Sequence, residues 1–249
     1  TVKMDRALYD VNNDLHETHW WFQGRKKIVR ALLKKAWADQ RFQSGIDLGT
    51  GGGSMLGLLR EFIAKVEVLE PDEKIAQSLK IKYRDEVEVL VSTLENFNSS
   101  KKYQIVSLFD VLEHIEDDVR ALEKIHSLLE PGGFIVLTVP AFRFLWSNHD
   151  VRAGHFRRYT KRVLVQKLIR AGFEVKRATY FNIFLFPVVY AVRFFHKFWP
   201  SAETDFSYGY GFGNWFFGFI FSLERLLVGN INFPFGVSFF CLALKRREK

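Results

Sequence analysis

Cysteine is almost absent from this chain. Cys241 stands alone among 249 residues, which excludes a disulfide framework and fits a reducing compartment. No apolar run reaches the roughly 20 residues that a membrane-spanning helix requires. Phe184 to Val192 is interrupted by Pro187, and the stretch from Trp215 to Val228 contains Glu224 and Arg225. The opening residues mix polar and charged side chains, so no secretory signal is expected and a cytoplasmic protein is. Internal repeats and low-complexity linkers are missing too. His, Cys and carboxylates nowhere fall at metal-ligand spacing, so no metal is expected.

What is present reads as a packed globular protein, with 48% apolar and 26% charged residues. The formal charge of +8 favours an acidic partner: phosphate, a membrane surface or nucleic acid. The basic residues are spread along the chain, however, which equally suits a solvated surface. Aromatics reach 16%, with 26 Phe, and they crowd into the last third.

Hydrophobic periodicity orders the chain. From Phe22 to Gln40, Ile28, Leu32, Leu33, Ala36 and Trp37 fall at helical spacing. Strands are expected at Ser44–Leu48, Lys65–Leu69, Val87–Val91, Tyr103–Phe109, Phe134–Val139, Phe173–Tyr180 and Val237–Leu244. Helices fall between them. Ser54 is expected to cap one, Pro71-Asp72 to start the next, and Glu116-Asp117-Asp118 to sit on the first turn of another that ends at Pro131-Gly132-Gly133. Thr160 caps a further helix that stops at Ala171-Gly172-Phe173. Alternating β and α elements argue for a parallel sheet covered by helices on both faces.

The first strand runs into Gly49-Thr50-Gly51-Gly52-Gly53-Ser54. Such a turn lets backbone N–H groups approach a ligand at the positive end of a helix dipole. Glu70 ends the next strand, about 20 residues on, where its carboxylate can accept hydrogen bonds from ribose hydroxyls. A dinucleotide fingerprint fails, because the register starting at Gly49 puts Ser54 in the last glycine position. A P-loop fails for want of its lysine. What remains is Asp47-x-Gly49-x-Gly51-x-Gly53, and other runs accompany it. Asp110-Val111-Leu112-Glu113-His114 follows the fourth strand, Leu129-Glu130-Pro131-Gly132-Gly133 precedes the fifth, and His155 through Thr160 comes before Ala171-Gly172-Phe173.

As a set, these runs resemble class I S-adenosylmethionine (SAM)-dependent methyltransferases of small-molecule type. They are closest to the subgroup that includes ubiquinone-biosynthesis methyltransferases. The resemblance covers residues 20–182 and the final strand. It implies an α/β Rossmann-like fold with seven strands in the order 3-2-1-4-5-7-6, the seventh antiparallel. It also implies SAM as cofactor and S-adenosylhomocysteine (SAH) as product. Asp47, Gly49, Gly51 and Gly53 would enclose the methionine part, Glu70 the ribose, and Thr93 and Leu94 the adenine. Thr93 stands where the family often has Asp. Asp110 and Arg25 complete the cofactor set, Arg25 near the SAM carboxylate.

Methyl transfer from a sulfonium is favourable, so alignment and a dry pocket are the main needs. A hydroxyl acceptor adds the need for a base, and His114 is the first candidate. Its alternative is a histidine that only packs at a helix start. After the fifth strand come Trp146, His149, Asp150, His155, Arg157, Arg158 and Tyr159, in a loop position where α/β proteins bind ligands. His149-Asp150 reads as an oriented base, and Arg157-Arg158 as a clamp for phosphate or carboxylate. A solvated loop leading into a capped helix is the alternative. Trp20 and Trp21 suit a lid over cofactor and acceptor, or simply an amphipathic helix docking on the sheet.

Four regions follow: a helical lid at 1–40, a SAM-binding core at 41–182, an aromatic helical insertion at 183–236, and a final core strand at 237–249. The insertion suits a core between helices, or an apolar tunnel or membrane-facing surface with Arg193, His196 and Lys197 near headgroups. A small or lipid-linked acceptor, O-methylated by a peripheral membrane enzyme, is therefore expected. Base-amino methyltransferases typically carry Asn/Asp-Pro-Pro-Tyr/Phe after the fourth strand. Phe109-Asp110-Val111-Leu112 stands there, which argues against nucleic acid. A non-catalytic SAM-binding scaffold at a membrane is the remaining alternative.

Overall fold

The structure, a computed structural model, describes residues 19–196 and 212–247. Helix α1 (Trp20–Trp37) precedes β1 (Phe42–Leu48), α2 (Leu56–Leu59), β2 (Ile63–Glu70), α3 (Glu73–Tyr83) and β3 (Glu88–Val91). Then follow β4 (Tyr103–Phe109), α4 (Asp118–Leu128), β5 (Leu129–Pro140), α5 (Asn148–Ala153), α6 (Lys161–Arg170) and β6 (Phe173–Phe181). The insertion contributes α7 (Phe186–His196), α8 (Phe212–Leu223) and α9 (Arg225–Val228), and β7 (Ser238–Lys245) closes the sheet.

The seven strands lie in the order β3-β2-β1-β4-β5-β7-β6. Strands β1 to β5 pair in parallel, and β7 runs antiparallel between β5 and β6. Parallel strands need both faces covered, which is why β1 and β4 bury nearly every residue of their carboxyl halves. The strand order reverses between β1 and β4. That switch point opens a crevice at their carboxyl ends, where open α/β sheets bind ligands.

Two turn expectations are corrected. Ser54 caps nothing: α2 is a single turn with Met55 at its N-cap and no side-chain cap, because the glycine loop keeps turning through residue 55. Pro131-Gly132-Gly133 does not end a helix. Helix α4 stops at Leu128, and the three residues lie inside β5, where the register against β4 slips between Tyr103 and Ile105. Gly132 takes φ +87°, and a Cβ on Gly133 would meet the Gln104 carbonyl at 3.0 Å, so glycine is what lets the strand bulge there. The next helix does start at Pro71-Asp72, with Asp72 as its N-cap accepting from Ile75 N–H and Pro71 just outside, and the expected Thr160 cap accepts from Val163 N–H.

The insertion docks on α1. Trp20 N–H donates to Asn214 Oδ1 (2.7 Å), and the Trp20 ring packs against Phe217 and Phe221 of α8. Buried Glu224, at the joint of α8 and α9, accepts N–H bonds from Asn182 (2.6 Å), Ile183 (2.5 Å) and Phe184 (3.0 Å). It thereby ties the end of β6 to the start of α7, whose Pro187 sits harmlessly in the first turn. The Phe221 ring of α8 lies directly on the α1 backbone at Gly24, where an added Cβ would stand 2.2 Å from Phe221 Cδ1. Gly24→Ala is therefore expected to destabilise the fold by about 1–3 kcal/mol through overpacking, despite alanine's better helix propensity. Urea denaturation checks this, and an unchanged midpoint would show that α8 docks more loosely.

Candidate active site

One cavity of about 290 Å³ opens at the switch point. Its floor is the glycine loop, with Asp47, Gly49, Thr50 and Gly51 on the wall. Gly49 has φ +64°, and a Cβ there would press within 3.0 Å of Val111, so the backbone at this bend must be bare. Asp47 is buried and accepts a hydrogen bond from Ser107 Oγ (2.5 Å). Burial pushes its carboxyl up to about 6, with Ser107 among the groups opposing the shift.

Glu70 stands one layer behind. It does not line the cavity, but its two oxygens accept from the N–H groups of Gly51 and Asp72, each at 3.2 Å. Burial pushes Glu70 up to about 7, against the pull of those two N–H donors.

The second wall joins α1 to the end of β4. Arg25 is buried and ion-paired with Asp110, while its guanidinium lies 4.7 Å from the Trp21 ring centroid. Asp110 also accepts from Thr138 Oγ1 (3.1 Å) and takes φ +58°, an uncommon conformation for a residue other than glycine. Arg25 Nε is buried with no hydrogen-bond partner.

The third wall is a polar corner of Glu113, His114, His149 and His155. Glu113 and His114 ride on a 3₁₀ turn just past Asp110, and His155 follows α5. Here the expected pairing is corrected: Asp150 orients His155, with Nδ1 and Oδ1 2.8 Å apart, and not His149. Asp150 is fully buried, closes a capping box with Ser147 and takes a bidentate grip from Arg158 (2.7 and 2.9 Å). Burial alone would raise its carboxyl, but His155 and Arg158 outweigh it and hold Asp150 well below the usual range. For His114, burial and the neighbouring His155 and His149 push the pKa down to about 3.

The fourth wall is apolar and comes from the insertion: Leu185, Val188, Val189 and Val192, facing Phe217 and Val237. Asn182 joins it, with φ +61° and both side-chain amide atoms buried without partners.

The cavity thus collects Trp20, Trp21, Arg25, Asp47, Gly49, Gly51, Asp110, His114, His149, His155 and Arg158. It leaves out Gly53, Glu70, Thr93, Leu94, Trp146, Asp150, Arg157 and Tyr159. Several of these have structural tasks. The Gly53 carbonyl accepts from the Tyr83 hydroxyl (3.0 Å), Thr93 Oγ1 accepts from Asn96 N–H (3.3 Å), and Leu94 is core. The Tyr159 hydroxyl donates to Asp118 (2.8 Å), which Arg157 also pairs with (3.0 Å). Arg157 and Arg158 are therefore spent on two different carboxylates and form no joint anion clamp. Buried Arg193 donates to the Leu145 carbonyl and faces the cavity, not a headgroup layer. Lys197 and the His196 side chain lie outside the described residues, as do residues 1–18 of the expected lid.

Sequence reasoning missed Glu113 and Asn182. Glu113 carried a signal, standing beside His114 in a run already singled out. Asn182 carried only its polarity within an apolar stretch.

A family defined by a methyltransferase domain matches residues 20–178, more than half of the chain. The chain belongs to this family. Its fold is that of class I SAM-dependent methyltransferases. The ubiquinone biosynthesis O-methyltransferase of Saccharophagus degradans is 23% identical over 128 residues, covering 47% of this chain and 54% of that protein. The match thus spans about half the length of that relative. Among solved structures, a Haloferax volcanii methyltransferase in complex with the Trm112 methyltransferase activator superposes with a TM-score of 0.62 at 16% identity, covering 98% of this chain and 96% of that one. The N-methyltransferase NodS of Bradyrhizobium japonicum, bound to SAH, gives a TM-score of 0.53 at 15% identity over 67% of this chain and 81% of its own. At these identities the structures establish the shared fold.

Proposed function

We propose that this methyltransferase moves a methyl group from SAM to an oxygen of a small acceptor that carries an apolar tail. The observation behind this reading is the continuity of the cavity. It runs from the glycine loop past the Glu113–His114–His155 corner to the apolar wall of Leu185, Val188 and Val192. SAM supplies the electrophilic methyl group on its sulfonium. Arg25 Nε, a buried donor without a partner, suits the SAM carboxylate. Asp47 and the N–H groups of the loop suit its methionine part, with Glu70 for the ribose hydroxyls.

At the other end the acceptor oxygen would meet one carboxylate and the imidazoles of His114, His149 and His155. His114 is neutral at physiological pH, but with a pKa near 3 it is too weak a base to take a hydroxyl proton alone. Activation of the acceptor in this reading belongs to the corner as a group. Calorimetry with SAH, followed by methyl transfer assays across hydroxylated aromatic and lipid acceptors, tests it. Micromolar SAH binding with turnover of an oxygen acceptor is expected. SAH binding with no turnover on any of them would favour the scaffold alternative.

The insertion adds the lipid part of the reading. No helix among the described residues is long and apolar enough to cross a membrane. Yet on α8 Trp215 is 65% exposed and Phe219 54%, their rings stacked with centroids 6.0 Å apart. A face of this kind suits the headgroup boundary, where an apolar tail could pass to the cavity. Liposome flotation is the check: the protein should float with anionic vesicles, and a Trp215→Ser/Phe219→Ser variant should float severalfold less. A wild-type protein that stays at the bottom of the gradient would remove the membrane-facing part.

A further inference from the structure

We propose that Glu113, His114 and His155 form a binding site for one divalent first-row cation of the Zn²⁺ or Co²⁺ kind, open to the acceptor. Each residue offers one donor atom, and the three atoms lie within 4.8 Å of one another. Donors on bonds of about 2.1 Å around one ion stand roughly 3–4 Å apart, so small side-chain rotations close the set. A carboxylate with two imidazoles is a donor set that such ions favour.

Two further observations point to a ligand. Glu113 is completely buried, and neither carboxylate oxygen has a hydrogen-bond partner. Leaving a buried carboxylate unsatisfied is costly, and a cation beside it removes that cost. His155, in turn, is built as metal-binding histidines are. Its Nδ1 is held by Asp150, itself fixed by Arg158 and the α5 capping box, which leaves Nε2 as the donor. The rings of His114 and His155 meet edge to face with centroids 4.6 Å apart. The spacing of these residues in sequence hides the site, because His155 arrives from a different loop.

This inference rests on the O-methylation reading for its purpose. Three protein ligands leave at least one position for an acceptor hydroxyl. A hydroxyl bound there gives up its proton to water more readily. The resulting oxygen attacks the methyl carbon, the C–S bond breaks with its electron pair staying on sulfur, and the O–C bond forms.

The test uses the full chain stripped with EDTA, without SAM, titrated with CoCl₂ and followed by visible d–d absorption, with ZnCl₂ calorimetry in parallel. One equivalent of Co²⁺ with a saturable band is expected, weakened at least tenfold in Glu113→Gln and in His155→Asn. Asp150→Asn, which keeps every ligand but loosens His155, should weaken binding about 10–100-fold; His114→Gln, at the cavity wall and outside the Asp150 network, should weaken it at least tenfold and serves if another variant does not fold. A wild type that gives no band and no saturable heat overturns the proposal. Equal uptake by wild type and variants does so too. SAH calorimetry on the same protein keeps the two readings apart: cobalt binding without SAH binding would sink the cofactor reading alone, and the reverse would sink the metal site alone.

Discussion

Replacing Asp150 with alanine is expected to lower the unfolding free energy by about 3–5 kcal/mol. The carboxylate is fully buried and binds Arg158 through both oxygens, His155 through Oδ1 and the Ser147 backbone N–H through Oδ2 (2.8 Å). Truncation leaves a buried guanidinium without its counter-charge, and that, more than the lost pair itself, sets the size of the effect. The helix cap at α5 goes with it, worth about 1 kcal/mol. Asp150→Asn keeps part of the cap and some hydrogen bonding, so it should cost less than alanine. Because Asp150 is held well below its ordinary value, its contribution is complete at neutral pH and down to about pH 4, and is lost only on further acidification. Urea denaturation at pH 7 is the measurement. A loss below about 1 kcal/mol would mean that Arg158 finds another partner and that the network is not what holds the loop.

The second large effect concerns the cofactor. If Glu70 holds the ribose as proposed, Glu70→Ala is expected to weaken SAH binding on the order of 100-fold, through loss of two charge-assisted bonds of about 1.5 kcal/mol each. It also removes the clasp on Gly51. The pH dependence is the sharper test. Burial holds the Glu70 carboxyl near 7, whereas ribose hydroxyls donate best to the ionised form. SAH affinity should therefore rise from pH 6 to pH 8, with a proton released on binding near neutrality. Free-protein stability moves the opposite way: with its folded value raised, Glu70 favours the fold below about pH 4.5 and loses that contribution as pH rises through 7. Calorimetry across this range on wild type and Glu70→Gln checks both. A wild-type affinity flat with pH would place the ribose elsewhere.

Much of the frame was legible. The glycine loop, the acidic end of β2 and the β–α alternation announce themselves within a few residues, because turn chemistry and strand or helix periods are local. The sheet order was legible through resemblance to a family with that order. At Pro131-Gly132-Gly133 the local rule misled. These residues usually stop an element, but pairing of β5 with β4 on either side absorbs them as a bulge. The loop after β5 was legible in membership but not in pairing. His149 and Asp150 are neighbours in sequence, yet on a helical turn adjacent side chains diverge, and the fold brings His155 to the carboxylate instead.

By itself, then, the sequence determined the methyltransferase frame: where the glycine loop begins, which carboxylates flank it, and that an aromatic stretch precedes the last strand. The tertiary structure alone decided how the polar groups are partnered. It gave Arg158 and His155 to Asp150, Arg157 and Tyr159 to Asp118, and Arg25 to Asp110, and it left Glu113 bare at the cavity wall. The reason is one of range. Helix and turn signals act over a few residues, whereas these partners are up to 85 residues apart and meet only where strand ends and loops converge.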